Sequence, residues 1–223
     1  MTLTKRIALP SALLLTFSLL AACSDPEDTA RYLIDPPVAP TQVANRLGTA
    51  ELVDVSLPEY ASGQEVSYQT ADGAVRSNPD NLWADNPQRG FTLSLARAIS
   101  DVSGATVIAE PWPLTNPPDR KLDVRVEKAL AQADGVYRLT GRYFVSDETY
   151  SSGGNHARSF DISVPLGGEG TGFVAAAQST AISILAQQIA VLGGPGSTFV
   201  AKAPAADEFG LPPLLPLDDG TGI

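Results

Sequence analysis

Apolar positions along this chain recur with two distinct periods. Phe91, Leu95, Ala98, Ile99 and Val102 fall at i, i+4, i+7, i+8 and i+11, the stripe expected of one helix face. Asn86-Pro87 offers an opening for that helix and Gly104 a stop. Phe173, Ala177, Ala181, Ile184, Leu185 and Ile189 repeat the spacing over more than four turns, up to Gly193-Gly194-Pro195. Between the two helices the period falls to two. Leu122, Val124 and Val126 alternate with Asp123, Arg125 and Glu127 in a run over 122–131. After a turn at Asp134-Gly135 the alternation resumes over 136–146. Beyond a polar loop (151–154), a third run over 156–164 carries Phe160, Ile162 and Val164. Three such runs joined by turns predict an antiparallel meander with one buried and one wet face.

Shorter β-type runs come first. Arg31-Tyr32-Leu33-Ile34 ends at Asp35-Pro36-Pro37, and residues 49–55 are stopped by Leu57-Pro58-Glu59-Tyr60. Residues 66–70 and 74–76 flank Ala71-Asp72-Gly73 as a hairpin, and 105–109 form a short strand. Residues 110–118 hold four prolines and read as an extended connector, because proline cannot pair in a central ladder. Residues 196–223 hold four prolines and four glycines and read as a mobile tail. The expected fold class is α+β: a largely antiparallel β-sheet of four to five strands with two helices packed on one face. The expected division is a signal peptide (1–22), an acidic tether (23–30), one folded domain (31–194) and a Pro/Gly-rich disordered tail (195–223).

The amino terminus adds a compartment. Lys5 and Arg6 precede an apolar stretch, 7–20, that is too short for a comfortable membrane span and carries Pro10, so it reads as the core of an export signal. It runs into Leu20-Ala21-Ala22-Cys23-Ser24, which resembles a bacterial lipobox, with Cys23 the thiol that takes a diacylglycerol. The plain alternative is a signal peptide cut at an Ala-x-Ala-like site with Cys23 incidental. Against it, the chain has one Cys, and it stands where lipidation needs it. Each buried acyl methylene contributes about 0.8 kcal/mol, so two or three chains would hold the protein on a bilayer. Ser24 after the cysteine resembles the outer-membrane sorting pattern.

Composition then excludes much chemistry. Fifteen Lys and Arg against 25 Asp and Glu give −10, and loss of residues 1–22 with Lys5 and Arg6 makes it −12. No cationic surplus exists to neutralise phosphates, so no nucleic-acid partner is expected. One Cys and one His leave no intrachain disulfide and no Cys/His zinc site. Gly167-Gly168-Glu169-Gly170-Thr171-Gly172 sits between strand and helix as a dinucleotide loop would. Yet no strand follows that helix, and Glu169 would stand among the phosphates; the loop reads as a flexible β-to-α turn. His156 reads as an exposed strand-edge histidine with no Gly-x-Ser-x-Gly elbow to serve. Asp218-Asp219-Gly220 lacks the remaining ligands of a calcium loop. No catalytic residue, metal or cofactor is expected, and the chain reads as a non-enzyme. Trp83 and Tyr60 are candidate partner anchors, with burial beneath the first helix the favoured reading.

Several segments together resemble the ABC-type transport auxiliary lipoprotein family, the group typified by paraquat-inducible protein C. They are the lipobox at Cys23, Arg31-Tyr32-Leu33-Ile34-Asp35, Leu57-Pro58-Glu59-Tyr60 followed by Glu65-Val66-Ser67-Tyr68-Gln69, Leu82-Trp83-Ala84-Asp85, Leu122-Asp123-Val124-Arg125-Val126, and the late helix with Ala186 and Ile189-Ala190. Gln69 stands where the family often has Arg, Asp85 replaces Glu, and the Pro-rich tail is extra. The resemblance implies helices on a β-sheet and a non-enzymatic auxiliary role in lipid transport across the envelope. The implied partners are a mammalian-cell-entry (MCE) domain protein and an ABC permease and ATPase; a homo-oligomer is compatible with it. The implied location is periplasm-facing, lipid-anchored, at the outer membrane. The competing readings are a structural envelope lipoprotein gripping peptidoglycan or another outer-membrane assembly, and a periplasmic hydrolase.

Overall fold

A computed structural model describes residues 28–148 and 154–199. Cys23, the tether up to Glu27 and the tail from Val200 onward lie outside the described residues, as does Asp218-Asp219-Gly220. Three long strands form the backbone of the domain: β7 (Arg120–Ala131), β8 (Val136–Asp147) and β9 (Asn155–Pro165), paired antiparallel in that order. Their alternation buries Leu122, Val124, Tyr137, Leu139, Tyr143, Val145, Phe160 and Ile162 on one face.

The sheet is larger than the four to five strands expected, and not uniformly antiparallel. It is eight-stranded: β10 (Gly196–Phe199), β9, β8, β7, β2 (Thr49–Leu52) and β6 (Thr106–Ala109) lie side by side. β3 (Tyr68–Gln69) and β4 (Val75–Arg76) form the expected hairpin, joined to β7 through β3. β2 pairs parallel with both β6 and β7. The free side of β7 is completed in pieces: β2, then an isolated bridge at Ser56, then the bulge between Val126 and Lys128, then β3. Each piece is too short to show an alternation of its own, so sequence pattern undercounted the strands. β1 (Ala30–Tyr32) leaves the main sheet altogether and pairs parallel with β5 (Asn81–Trp83).

Among the described residues three helices are present, one more than expected. α1 (Glu59–Ser62) is a single turn following Pro58, where a strand stop was anticipated. α2 (Pro87–Ser103) begins as its sequence predicts: the Asn86 side chain accepts from the Arg89 N–H, and Pro87 at the first turn loses no bond. It ends at Gly104, which is left-handed at φ 68°. α3 (Thr171–Ala190) packs on β8 and β9 and against α2. Its mean hydropathy of 1.2 over 18 residues matches a membrane span by length and composition, but 67% of that window is buried inside the domain. It is a core helix.

One further correction concerns the carboxyl-terminal side. Gly196–Phe199, expected in a mobile tail, pair in register with Asn155–Arg158 of β9. The backbone approach is close enough that a Cβ on Gly196 would stand 2.0 Å from the Ala157 carbonyl oxygen. Glycine here admits a strand where the composition suggested none.

Candidate functional site

The amino-terminal segment of the described fold is strapped across the helices. After β1, residues 33–43 run over the groove between α2 and α3. The Asp35 N–H donates to Ser179 Oγ (3.0 Å), Ser183 Oγ donates to the Pro37 carbonyl (3.0 Å), and Ser94 Oγ donates to the Ile34 carbonyl (2.9 Å). Arg97 closes an exposed ion pair with Asp35 at 2.6 Å. Ser94, Ser179 and Ser183 are buried hydroxyls on helices that otherwise bury apolar groups. They satisfy backbone groups that the strap could not pair within a sheet. Serines interrupting an apolar stripe were the signal for this strap, and periodicity alone passes over them.

The two proposed anchors are both structural in this fold. Trp83 is 4% exposed, in the core beside Phe91 and Leu95. Tyr60 is half-buried, and its hydroxyl accepts the Ala129 N–H at 3.2 Å, beside the β7 bulge. His156 is also not the exposed edge residue expected. β10 covers it, it is 9% exposed, and its Nδ1 lies 3.1 Å from Thr198 Oγ1. Among the described residues no group of three or more His, Cys, Asp or Glu could hold a metal ion.

Buried tyrosines are the strongly perturbed titratable groups. Burial pushes both the Tyr137 and Tyr143 hydroxyls far above their ordinary range, with the Arg158 charge acting in the opposite direction at Tyr143. Tyr137 donates to Gln178 Oε1 at 2.8 Å, and Tyr143 donates to the Gly193 carbonyl. Both tie the sheet to α3 and the turn after it. Neither faces a cleft.

Two surfaces remain. The helix-free face of the sheet carries Phe144 between two guanidinium groups, Arg125 at 5.1 Å and Arg142 at 5.7 Å from the ring centroid. Hydrogen bonding and attraction from Asp123 raise the Arg125 pKa further. The second surface is a cleft of about 470 Å3 at the turn end of the meander. It is bounded by Tyr68 and Gln69 of β3, Asn78, Asn81, Gln132 and the 168–171 stretch of the glycine-rich loop. That loop is shaped rather than loose: the Phe173 ring lies where a Cβ on Gly168 would sit, 2.6 Å from it.

The architecture is thus a two-layer α+β domain, its helices on one face of a mixed sheet and its entry segment strapped over them. The chain belongs to the ABC-type transport auxiliary lipoprotein family, whose model, described as the ABC-type transport auxiliary lipoprotein component, matches residues 32–190. Two crystal structures share the fold. One, of an uncharacterised protein, has 18% identity and a TM-score of 0.57, covering 71% of this chain and 99% of its own. The other, a DUF330 protein of Xanthomonas campestris, has 16% identity and a TM-score of 0.56, covering 73% and 93%. No curated protein matches the chain. Membership makes this an auxiliary transport lipoprotein of the cell envelope, associated with an ABC transporter.

Proposed function

We propose that the chain is a non-enzymatic subunit of an MCE-type ABC transporter that moves lipid across the envelope, anchored through Cys23 to the outer membrane and facing the periplasm. The observation that carries this reading is the family match, which spans nearly the whole folded domain from Tyr32 to Ala190. The lipobox supports it. From Cys23 to the start of β1 the chain can reach at most about 25 Å, so the domain would work close to the bilayer that holds its lipid. The open sheet face described above, with Phe144 between Arg125 and Arg142, is where transporter partners would be met.

The test has two parts. Cys23→Ser is expected to abolish acylation, read by mass spectrometry of the mature product, and to shift the protein from the membrane to the soluble fraction. Affinity purification of the native lipoprotein from cross-linked membranes is expected to recover an MCE-domain protein with its permease and ATPase. An acylated protein recovered only with cell wall would replace the transporter reading with the structural one.

A further inference from the structure

We propose that the cleft at the turn end of the meander is a saccharide-binding site. Five separate segments of chain converge there: β3, residues 78–81, the β7–β8 turn, the glycine-rich loop and the first turn of α3. Its volume of about 470 Å3 lies within the range of roughly 300–1,000 Å3 typical of small-molecule clefts.

The lining decides the ligand class. Tyr68, Gln69, Asn78, Asn81 and Gln132 are neutral hydrogen-bonding side chains, Glu169 is the one charged group, and no cation lines the wall. The neighbouring guanidinium groups are committed elsewhere: Arg138 bonds Gln132, Asp134 (2.9 Å) and Ser163 (3.0 Å), and Arg76, opposite Tyr68 in the hairpin, pairs with Asp72 (2.9 Å). A phosphate or other anion would therefore meet Glu169 with nothing to neutralise it. Ala131, Ala133, Leu166 and Val174 also line the cleft, but an acyl chain there would leave the Asn78 and Asn81 amide nitrogens without water or a partner, at a cost for each. A polyhydroxylated neutral ligand satisfies them instead.

The groups are also pre-arranged. Gln132 Nε2 donates to Gln69 Oε1 (3.2 Å), and Gln69 Nε2 donates to the Gly73 carbonyl (3.2 Å), so that wall is a fixed network. Tyr32 donates to Asn81 Oδ1 (3.2 Å) and the Asp80 N–H donates to Asn78 Oδ1 (2.8 Å). Each contact holds an amide by its oxygen and leaves its Nδ2 group for a ligand, with no other partner among the described residues. Opposite them, the Glu169 carboxylate can accept from two adjacent hydroxyls. Tyr68, 36% exposed, offers a ring face for the apolar side of a pyranose. A Cβ on Gly170 or Gly135 would meet nothing within 4 Å, so backbone at both positions is open to close approach.

Peptidoglycan and the sugars of a surface lipid offer the same chemistry, and the test separates them. The full mature lipoprotein, in a detergent without a sugar headgroup, is titrated by calorimetry with three probes. These are N,N′-diacetylchitobiose, an uncharged form of the N-acetylhexosamine unit of peptidoglycan, an uncharged hexose trisaccharide of the kind carried by surface lipids, and free peptidoglycan stem peptide. Saturable binding of either sugar is expected, weakened about tenfold by Glu169→Gln and by Tyr68→Ala, with the exposed Glu59→Gln as unchanged control. Glu169 lies in a surface loop, so its amide variant keeps the fold intact if Tyr68→Ala does not. Failure of both sugars to bind, binding of the stem peptide alone, or sugar binding indifferent to Glu169→Gln overturns the proposal. The transporter reading stands or falls separately, on which proteins are recovered with the native lipoprotein.

Discussion

At the scale of the residue, most of the chemistry here is spent on satisfying backbone groups. Tyr60 meets an amide next to a bulge, and three buried serines hold the entry strap. Gly141 shows how little room is left. A Cβ there would stand 2.2 Å from the Arg125 carbonyl and 2.7 Å from the Phe160 ring, which lies over the strand. Gly141→Ala is therefore expected to cost about 1–3 kcal/mol, as forced overpacking does, read as a lower urea midpoint at unchanged slope. Unchanged stability would mean that the β7 backbone at Arg125 and the Phe160 ring can both shift to admit a methyl group. Nothing in the sequence marked Gly141, because its role depends on a ring nineteen residues away, across the sheet. Trp83 and Tyr60 were legible only as alternatives, since burial of an aromatic is settled by what packs over it.

At the scale of the element, legibility followed length. α2, α3, β7, β8 and β9 are each long enough to display a period, and all five were foreseen within a few residues. β10 was not. Four residues with a glycine and no apolar alternation look like a tail, and they become a strand only because β9 presents an unpaired edge. β10 in turn removes His156 from solvent. Gly196→Ala is expected to lift β10 from β9, since backbone at φ 150° and a 2.0 Å approach both exclude a side chain. Amide exchange at Ser159, whose N–H donates to the Pro195 carbonyl at 2.8 Å, should quicken by about tenfold, or ~1.4 kcal/mol of local protection. Unaltered exchange there would show that β10 adds no local stability.

At the scale of the whole molecule, the acidic chain is held by burial rather than by charge. Ion pairs among the described residues include exposed ones such as Arg76 with Asp72 and Arg138 with Asp134, and pairs of this kind contribute little. Hydrogen bonding, from Thr70 to Asp72 and from Arg138 to Asp134, lowers both carboxyl pKa values. That contribution is present above the ordinary carboxylate range near pH 4 and fades as pH falls through it. The alkaline limb rests on two buried hydroxyls. Tyr137 and Tyr143 have folded-state pKa values raised above the unfolded value of about 10, so the native state holds protons that the unfolded state gives up. Their stabilisation is whole below about pH 10 and declines above it. Thermal midpoints should drop beyond pH 10, with the tyrosinate absorbance of Tyr137 and Tyr143 appearing only on unfolding; loss of that absorbance step in Tyr137→Phe and Tyr143→Phe assigns it, and titration of both groups in the native protein near pH 10 would refute this.

Local pattern by itself determined the class of the domain, the two long helices and the meander, because periods of 3.6 and two are imposed by backbone geometry within each segment. It also determined the export and lipidation signature, which is written in consecutive residues. Only the tertiary structure decided the rest: how many strands the sheet has, which of them run parallel, whether an aromatic is anchor or core, and which loops close around a cleft. Those outcomes depend on backbone groups and side chains finding partners tens of residues away, and a partner at that distance leaves no periodic trace in the chain that carries it.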